Sequence, residues 1–154
     1  TRIAKIYEGT NGIQGADLIG RKLTRDGGAM LNATVERLSG RINSMTDKKQ
    51  LEQAQLLLHE WHQTSCKILS ADSVDIAGAA SDYLHYSGYV ILGILWLQMA
   101  DAAKKSTNNA IKNGKARTCE FYIKRILPRK EFHRAIVLSS AEDLISLPEE
   151  DFDY

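Results

Sequence analysis

The chain has 154 residues, of which 44% are hydrophobic and 25% are charged, and its formal net charge is +1. This length is enough for one domain with a real hydrophobic core. The 20 basic and 19 acidic side chains nearly balance, so the charge indicates neither a nucleic-acid partner nor an acidic substrate.

Cysteine usage and hydropathy are those of a cytoplasmic protein. Cys66 and Cys119 are far apart and lack Cys-x-x-Cys spacing, which is typical of reduced cysteines that serve packing. The longest apolar run, residues 89–100, is too short to cross a bilayer, and no signal peptide is visible. We therefore expect a cytoplasmic location.

Near the start of the sequence a glutamate stands directly before a glycine-containing turn, in the run YEGTNGIQ at residues 7–14. Because Gly9 has no Cβ, a ligand can approach the Glu8 carboxylate closely. Thr10, Asn11 and the backbone N–H groups at the start of the next helix could meet an anion or a phosphate. A solvated glutamate that only complements a helix dipole has the same pattern, so both interpretations stay open.

The run resembles the catalytic-glutamate motif of the flavin-dependent acyl-CoA dehydrogenases. The flanking residues RI (2–3) and ADLIGRKL (16–23) are similar to that family as well. The remainder resembles the helical domain that one bacterial branch carries at its C-terminus, on the stretches DIAGA (75–79), YL (83–84), Gly88 and FYIKRILP (121–128). Since family members are several times longer, the resemblance implies a C-terminal portion, with residues 1–26 ending the dehydrogenase core and residues 27–154 forming the added bundle domain.

The resemblance also implies a reaction, the oxidation of an acyl-CoA to its trans-2-enoyl form with FAD as hydride acceptor. Glu8 would be the base that removes the α-proton, and its N–H, the space at Gly9 and the wall residue Tyr7 would hold the thioester. Thr10 and Asn11 would contact the flavin nucleotide. The complete enzyme is expected to be a homo-oligomer that passes electrons to an electron-transfer flavoprotein. The isolated fragment is expected to bind no flavin and to be inactive.

The first predicted helices follow this motif in chain order. Apolar residues within 13–23 predict a short lead helix, and Gly27-Gly28 predicts its end and the domain boundary. From Ala29 to Met45 the apolar positions follow a 4-3-4-3 spacing, which is typical of a bundle helix.

A second bundle helix is predicted over residues 48–69. Asp47 followed by Gln50 is a capping-box arrangement that starts it. His59 and His62 lie one turn apart and could in principle share a metal. No carboxylate or thiol completes a ligand set on that face, so the sequence favours surface histidines and predicts no metal site.

A long helix is predicted over residues 76–106. Small side chains dominate its first half and would let a neighbouring helix approach closely, whereas residues 90–97 are apolar on nearly every side and should be the most buried segment. Tyr83, Tyr86, Tyr89 and Trp96 could line a cofactor pocket, although aromatic residues at this spacing more often belong to a core.

The last predicted helix begins near Ala116, after a polar stretch whose turn is Asn113-Gly114. Pro128 should kink or split it, and a second helical stretch should run to Leu147. This region also carries a basic band. Its members are Lys124, Arg125, Arg129, Lys130, His133 and Arg134. The band could meet an acidic lipid surface or the phosphates of coenzyme A, but the pattern favours a solvated face.

The predicted fold class is all-α, with a short lead helix followed by an antiparallel bundle of four main helices, because no alternating strand pattern persists. Beyond residue 12 the sequence has no catalytic constellation. Two other functions stay open, a non-catalytic helical interaction module and a peripheral membrane-surface module.

Overall fold

The computed structural model describes residues 10–146 and 148–152. Within these ranges the protein is helical and has no strand, which confirms the all-α prediction. The main helices are α1 (Asn11–Ala16, continued by the π-helical segment Asp17–Thr24), α2 (Ala29–Asn43), α3 (Lys48–Leu69), α4 (Ser73–Ala103), α5 (Asn109–Phe121) and α6 (Lys130–Val137). The π-helical turn Tyr122–Ile126 and the 3₁₀ turn Leu127–Arg129 join α5 to α6, and two more 3₁₀ turns, Glu142–Leu144 and Glu149–Phe152, follow.

The 31-residue helix α4 is the centre of the bundle. It packs against α1, α3, α5 and α6, while α2 packs on α3. Side-chain hydrogen bonds join Trp61 to Ser87 and Ser65 to Tyr83, so α3 and α4 run in opposite directions. This order agrees with the predicted antiparallel bundle.

Polar side chains fix the starts of three helices. Asp47 accepts a hydrogen bond from the Gln50 N–H at 2.8 Å and caps α3, as predicted. Asp72 and Asn108 cap α4 and α5 in the same way. The reciprocal half of the capping box is not formed, because the Asp47 N–H donates to the Asp101 carboxylate instead, at 2.8 Å.

Glycines form the predicted turn before α2 and two close helix contacts. Gly27 and Gly28 have φ angles of 64° and 89°, a left-handed conformation that glycine adopts without a steric penalty. A Cβ at Gly15 of α1 would lie 2.5 Å from the Ala80 carbonyl oxygen, and one at Gly78 of α4 would lie 2.5 Å from the Ala141 Cβ. The predicted close approach to the first half of α4 is therefore confirmed.

The second half of α4 is less enclosed than its sequence predicts. Leu92 is 49% exposed and Met99 is 36% exposed. Other positions of this half are covered, as at Gly93, which packs against Leu127 of the 3₁₀ turn. An apolar residue can be buried only where a neighbour covers it. The uniform hydrophobicity of the second half of α4 therefore predicted more burial than the structure has.

The predicted turn at Asn113-Gly114 is wrong, because both residues lie inside α5. The helix begins at Asn109 rather than near Ala116, since the Asn108 side chain accepts from the Ala110 and Ile111 N–H groups. A helical glycine costs only about 1 kcal/mol relative to alanine, which this cap offsets.

Pro128 divides the last helix as predicted, because it lies in the 3₁₀ turn between the π-helical turn and α6. The predicted continuation to Leu147 is wrong within the described residues. The helix α6 ends at Val137, and the Ala141 N–H then donates to the Asp75 carboxylate at 2.7 Å. Leu147 itself lies outside the described residues.

Candidate functional site

The candidate catalytic residues Tyr7, Glu8 and Gly9 lie outside the described residues. The structure begins with the two predicted flavin contacts, at the start of α1. Thr10 is the N-cap residue of α1 and its side chain makes no capping hydrogen bond, while Asn11 is exposed. Both polar side chains are therefore open to a partner outside the described part of the chain, and their roles stay predictions.

The helix that follows the motif is fixed to the bundle. Gly15, Ile19 and Leu23 are buried, and Gly15 meets α4 at Ala80. Ile13 on the outer face is 71% exposed. The segment directly after the motif is thus anchored on one face and open on the other.

A charged cluster joins α3, α4 and α6. The Lys130 ammonium donates to both Glu60 carboxylate oxygens at 2.8 Å, although the Lys130 residue is only 7% exposed. The Tyr86 hydroxyl donates to Glu60 Oε1 at 2.9 Å, and burial raises the pKa of Tyr86. Arg134 Nε donates to Thr64 Oγ1 at 3.3 Å. Because each charge has a partner, this cluster holds helices together and offers no free acid or base.

The predicted aromatic residues mostly serve the core. Tyr83 and Tyr86 are almost fully buried, and the Tyr83 hydroxyl lies 2.7 Å from Ser65 Oγ. Burial raises the pKa of Tyr83 and raises that of Tyr122 to about 12, so these hydroxyls stay protonated at neutral pH. Trp96 is half-buried beneath the Lys115 ammonium. The core interpretation is confirmed for Tyr83 and Tyr86.

The basic band is not one solvated face. His133 Nδ1 lies 2.7 Å from Asp82 Oδ1, and its ring stacks on His85 with 5.0 Å between centroids. His133, Lys130 and Arg134 all lie on the side of α6 that faces the bundle, since α6 packs on α4. The solvated interpretation is correct for the exposed members Lys124, Arg125 and Arg129.

No group of three or more metal-ligating side chains occurs in the described ranges. His59 is exposed and His62 half-buried, which agrees with the prediction of surface or boundary histidines. Cys119 is buried as predicted, and burial raises the pKa of its thiol, but Cys66 is exposed rather than packed. No helix in the described part of the chain is long and apolar enough to cross a bilayer.

An apolar cavity of about 390 Å³ opens between four elements. They are the lead segment (the π-helical part of α1, Asp17–Thr24), α2, α3 and α4. The lining residues are Leu18, Lys22, Leu23, Met30, Leu31, Thr34, Leu38, Trp61, Tyr83, Leu84, Ser87, Gly88 and Ile91. Lys22 is the single charged residue among them. No local sequence pattern predicts this cavity, because four separate segments contribute to its wall.

The buried carboxylate of Asp101 is a second feature that was not predicted from the sequence. It is 4% exposed and accepts from the Thr46 N–H, the Thr46 hydroxyl and the Asp47 N–H. Burial raises the pKa of this carboxyl, but the three hydrogen bonds outweigh burial and the pKa is lowered. The helical spacing could have indicated that Asp101 is buried, because it follows the buried residues Ile94 and Leu97 at intervals of three and four residues.

Comparison with known proteins gives one match. The family model described as acetyl-CoA dehydrogenase C-terminal like matches residues 28–148. No curated protein and no solved structure matches the chain. Because the family model covers well over half of the sequence, the chain belongs to the acyl-CoA dehydrogenase C-terminal-like family.

Proposed function

We propose that this chain is the C-terminal portion of an FAD-dependent acyl-CoA dehydrogenase that oxidises an acyl-CoA to its trans-2-enoyl form. The observation that carries the proposal is the family match over residues 28–148, which follows the YEGTNGIQ run at residues 7–14 in the chain. The helical domain and the catalytic-glutamate motif thus occur in the order expected for one enzyme.

In this reaction Glu8 accepts the proton from the α-carbon of the thioester. A solvated carboxylate is too weak a base for that step, but an acyl chain that excludes water raises the carboxyl pKa toward the working range. The Glu8 N–H donates to the thioester carbonyl and stabilises the negative charge that develops on it. Gly9 leaves room for the thioester, and Tyr7 forms part of the wall.

When bound, FAD would supply the acceptor for the hydride that leaves the β-carbon. The described residues fit a limited share of its binding, because the Thr10 hydroxyl has no capping bond and the Asn11 amide is exposed at the start of α1. The remaining flavin contacts would come from domains that this chain does not contain. The isolated chain is accordingly expected to bind no flavin and to have no activity.

The bundle would pack on the dehydrogenase core or at a subunit interface of a homo-oligomer. One face of α4 supports this role, since Leu92, Leu95 and Met99 follow a 3-4 spacing. Leu92 and Met99 on this face are exposed. A contiguous apolar face of this kind marks an interaction surface. In the full-length enzyme Leu92→Glu should weaken assembly in sedimentation experiments, and unchanged assembly would argue against this face.

Electron-transfer flavoprotein is the proposed acceptor of the complete enzyme. In a coupled assay, adding that acceptor should restore the oxidised flavin after one turnover. A flavin that stays reduced in its presence would exclude it as the partner.

A membrane-surface role is the second candidate, and one observation favours it. Phe121 and Phe132 are exposed close in sequence to Arg125 and Arg129, and exposed aromatic and basic side chains suit an anionic lipid interface. The chain should then float with anionic liposomes. Absence of flotation would contradict the membrane-surface role and leave the packing role as the remaining candidate.

The dehydrogenase proposal is tested with the full-length protein and this chain in parallel. The full-length protein should purify yellow, and its flavin should bleach anaerobically with at least one member of a panel of acyl-CoA thioesters. The 154-residue chain should be colourless and inactive. A full-length protein that binds no flavin, or a flavin that no thioester bleaches, would contradict the proposal.

A further inference from the structure

We propose that the apolar cavity between the lead segment, α2, α3 and α4 is a binding site for a free fatty-acid anion. This inference goes beyond the dehydrogenase reaction, because the cavity is lined by residues of α1, α2, α3 and α4 and by none of the motif residues 7–14. The volume of the cavity, about 390 Å³, lies within the range of roughly 300–1,000 Å³ that is usual for small-molecule sites.

The interior of the cavity suits a hydrocarbon chain. Leucines from α1 and α2 line the cavity together with Leu84 and Ile91 of α4. Burying an aliphatic chain among such side chains is favourable, in proportion to the apolar surface that is removed from water. The cavity thus provides the main driving force for an apolar ligand.

The polar groups of the lining already have partners. The Trp61 indole N–H donates to Ser87 Oγ at 2.9 Å, and the Thr34 hydroxyl donates to the Met30 carbonyl at 2.8 Å. The Tyr83 hydroxyl pairs with Ser65. A polar ligand would therefore lose its hydrogen bonds to water without gaining new ones inside, which selects against sugars, nucleotides and peptides.

The charge at the mouth selects the end group of the ligand. Lys22 lines the cavity and is exposed, and it forms no salt bridge with any described residue. Its aliphatic stem can lie along the apolar wall while the ammonium stays in water. A ligand with an aliphatic chain and a terminal carboxylate matches both features.

Trp61 provides a built-in probe of occupancy, since it lines the cavity and is nearly buried. The other tryptophan of the 154-residue chain, Trp96, lies beneath the Lys115 ammonium and does not line the cavity, so Trp96→Phe in this chain makes Trp61 the single reporter. Titration of this variant with decanoate, below its micelle concentration, should give a saturable change in emission. A change that never saturates would overturn the proposal.

A glycine pair supplies the matched variants. Gly88 lines the cavity, and a Cβ there would meet nothing within 4 Å, so Gly88→Leu adds volume to the cavity wall from a position where the Cβ itself is free of contacts. Gly40 is also helical with open space around it but does not line the cavity. Gly88→Leu should weaken decanoate binding about tenfold or more, and Gly40→Leu should leave it unchanged. Equal affinities of the two variants would overturn the proposal.

Should Gly88→Leu fail to fold by circular dichroism, Thr34→Leu narrows the same cavity from α2 and carries the same expectation. Retained decanoate affinity in that variant would overturn the site equally.

Charge reversal tests the anionic end. Lys22→Glu should weaken decanoate binding about two- to fivefold, which is the range of an exposed ion pair. The same variant should strengthen the binding of decyltrimethylammonium, which has a cationic head on the same chain length. If both ligands bind Lys22→Glu as they bind the wild type, the assignment of a fatty-acid anion is wrong. None of these outcomes bears on the flavin test of the proposed function.

Discussion

The motif segment at residues 7–11 and the bundle that follows it contribute different things to this protein. The motif has a glutamate beside a glycine and polar side chains at a helix start. The bundle has a core built on α4 and holds its buried charges in pairs or in hydrogen bonds. The difference teaches that a few residues can hold the proposed chemistry, whereas stability is distributed over contacts between distant segments.

The bundle also shows why buried charges alone do not identify an active site. Asp101, Glu60 and Lys130 would each attract attention as titratable groups in or near the core. Perturbed groups cluster at catalytic sites, but structural ion pairs perturb them too. Here each of these groups is satisfied by partners from another helix or from a helix start, so the comparison predicts that changing them alters stability and leaves flavin chemistry intact.

The largest stability effect is expected from Asp101→Ala. This substitution removes three hydrogen bonds and leaves the Thr46 and Asp47 N–H groups without their acceptor. Loss of hydrogen bonds to a buried charge should lower the free energy of unfolding by about 2–4 kcal/mol, measured by urea denaturation. Asp101→Asn should be intermediate, and a loss as small as that of a surface substitution would contradict the capping role.

A smaller effect is expected from Lys130→Met, which removes the closer ion-pair partner of the Glu60 carboxylate and leaves only Arg134 Nε, at 3.9 Å, among the described residues. Because Glu60 keeps partial access to solvent, the expected loss is about 1–3 kcal/mol, below the range for a fully enclosed pair. The double variant Glu60→Gln with Lys130→Met should recover part of that loss. Lys124→Met is the matched control, since its pair with Glu120 is exposed, and it should unfold like the wild type. Equal effects of the two lysine variants would contradict the distinction between buried and solvated members of the basic band.

The turn that joins the two regions gives the next prediction. Gly28 has φ 89°, and a Cβ there would lie 2.7 Å from Leu69 Cδ1, whereas Gly27 has φ 64° and open space. Gly28→Ala should lower the free energy of unfolding by about 1–3 kcal/mol, and Gly27→Ala by about 1 kcal/mol. Thermal denaturation of both variants checks the order, and a reversed order would contradict the turn geometry.

The smallest effect is expected from pH. The pKa of Asp101 is lowered in the folded protein, because its hydrogen bonds outweigh burial, and the pKa of Asp47 is lowered mainly by its hydrogen bond from Lys104. A carboxyl with a depressed folded pKa stabilises the fold above its unfolded pKa of about 3.9, and that stabilisation is lost as the pH falls through the folded pKa. The free energy of unfolding should therefore decrease from about pH 5 downward. The decrease should be shallower in Asp101→Asn, and an identical acid profile would contradict the assignment.

Much of the fold could be predicted from local signals. The bounds of α3 follow from the Asp47 cap and a regular apolar spacing, and Pro128 divides the last helix because it lacks an N–H group. The start of α5 could not be read from Asn113-Gly114, because the Asn108 cap outweighs one helical glycine. The pairing of Lys130 with Glu60 joins residues that are 70 positions apart, and no local pattern indicates it.

The candidate site also has features that could be predicted from the sequence and features that could not. Glu8 was identified through a resemblance, since a glutamate before a glycine has no specific meaning by physical argument alone. The apolar cavity could not be predicted, because it exists only where four segments meet. The exposure of Leu92 likewise depends on which neighbours cover α4, and hydropathy does not report that.

The most direct test of the account is the rate of anaerobic flavin reduction in the full-length Glu8→Gln enzyme with a thioester that bleaches the wild type. Loss of a general base should slow reduction by about 10²- to 10⁴-fold, while thioester binding and the unfolding midpoint stay unchanged. Glu52→Gln, an exposed glutamate of α3, should reduce the flavin at the wild-type rate. Reduction of Glu8→Gln at the wild-type rate would contradict the central claim that the motif holds the catalytic base.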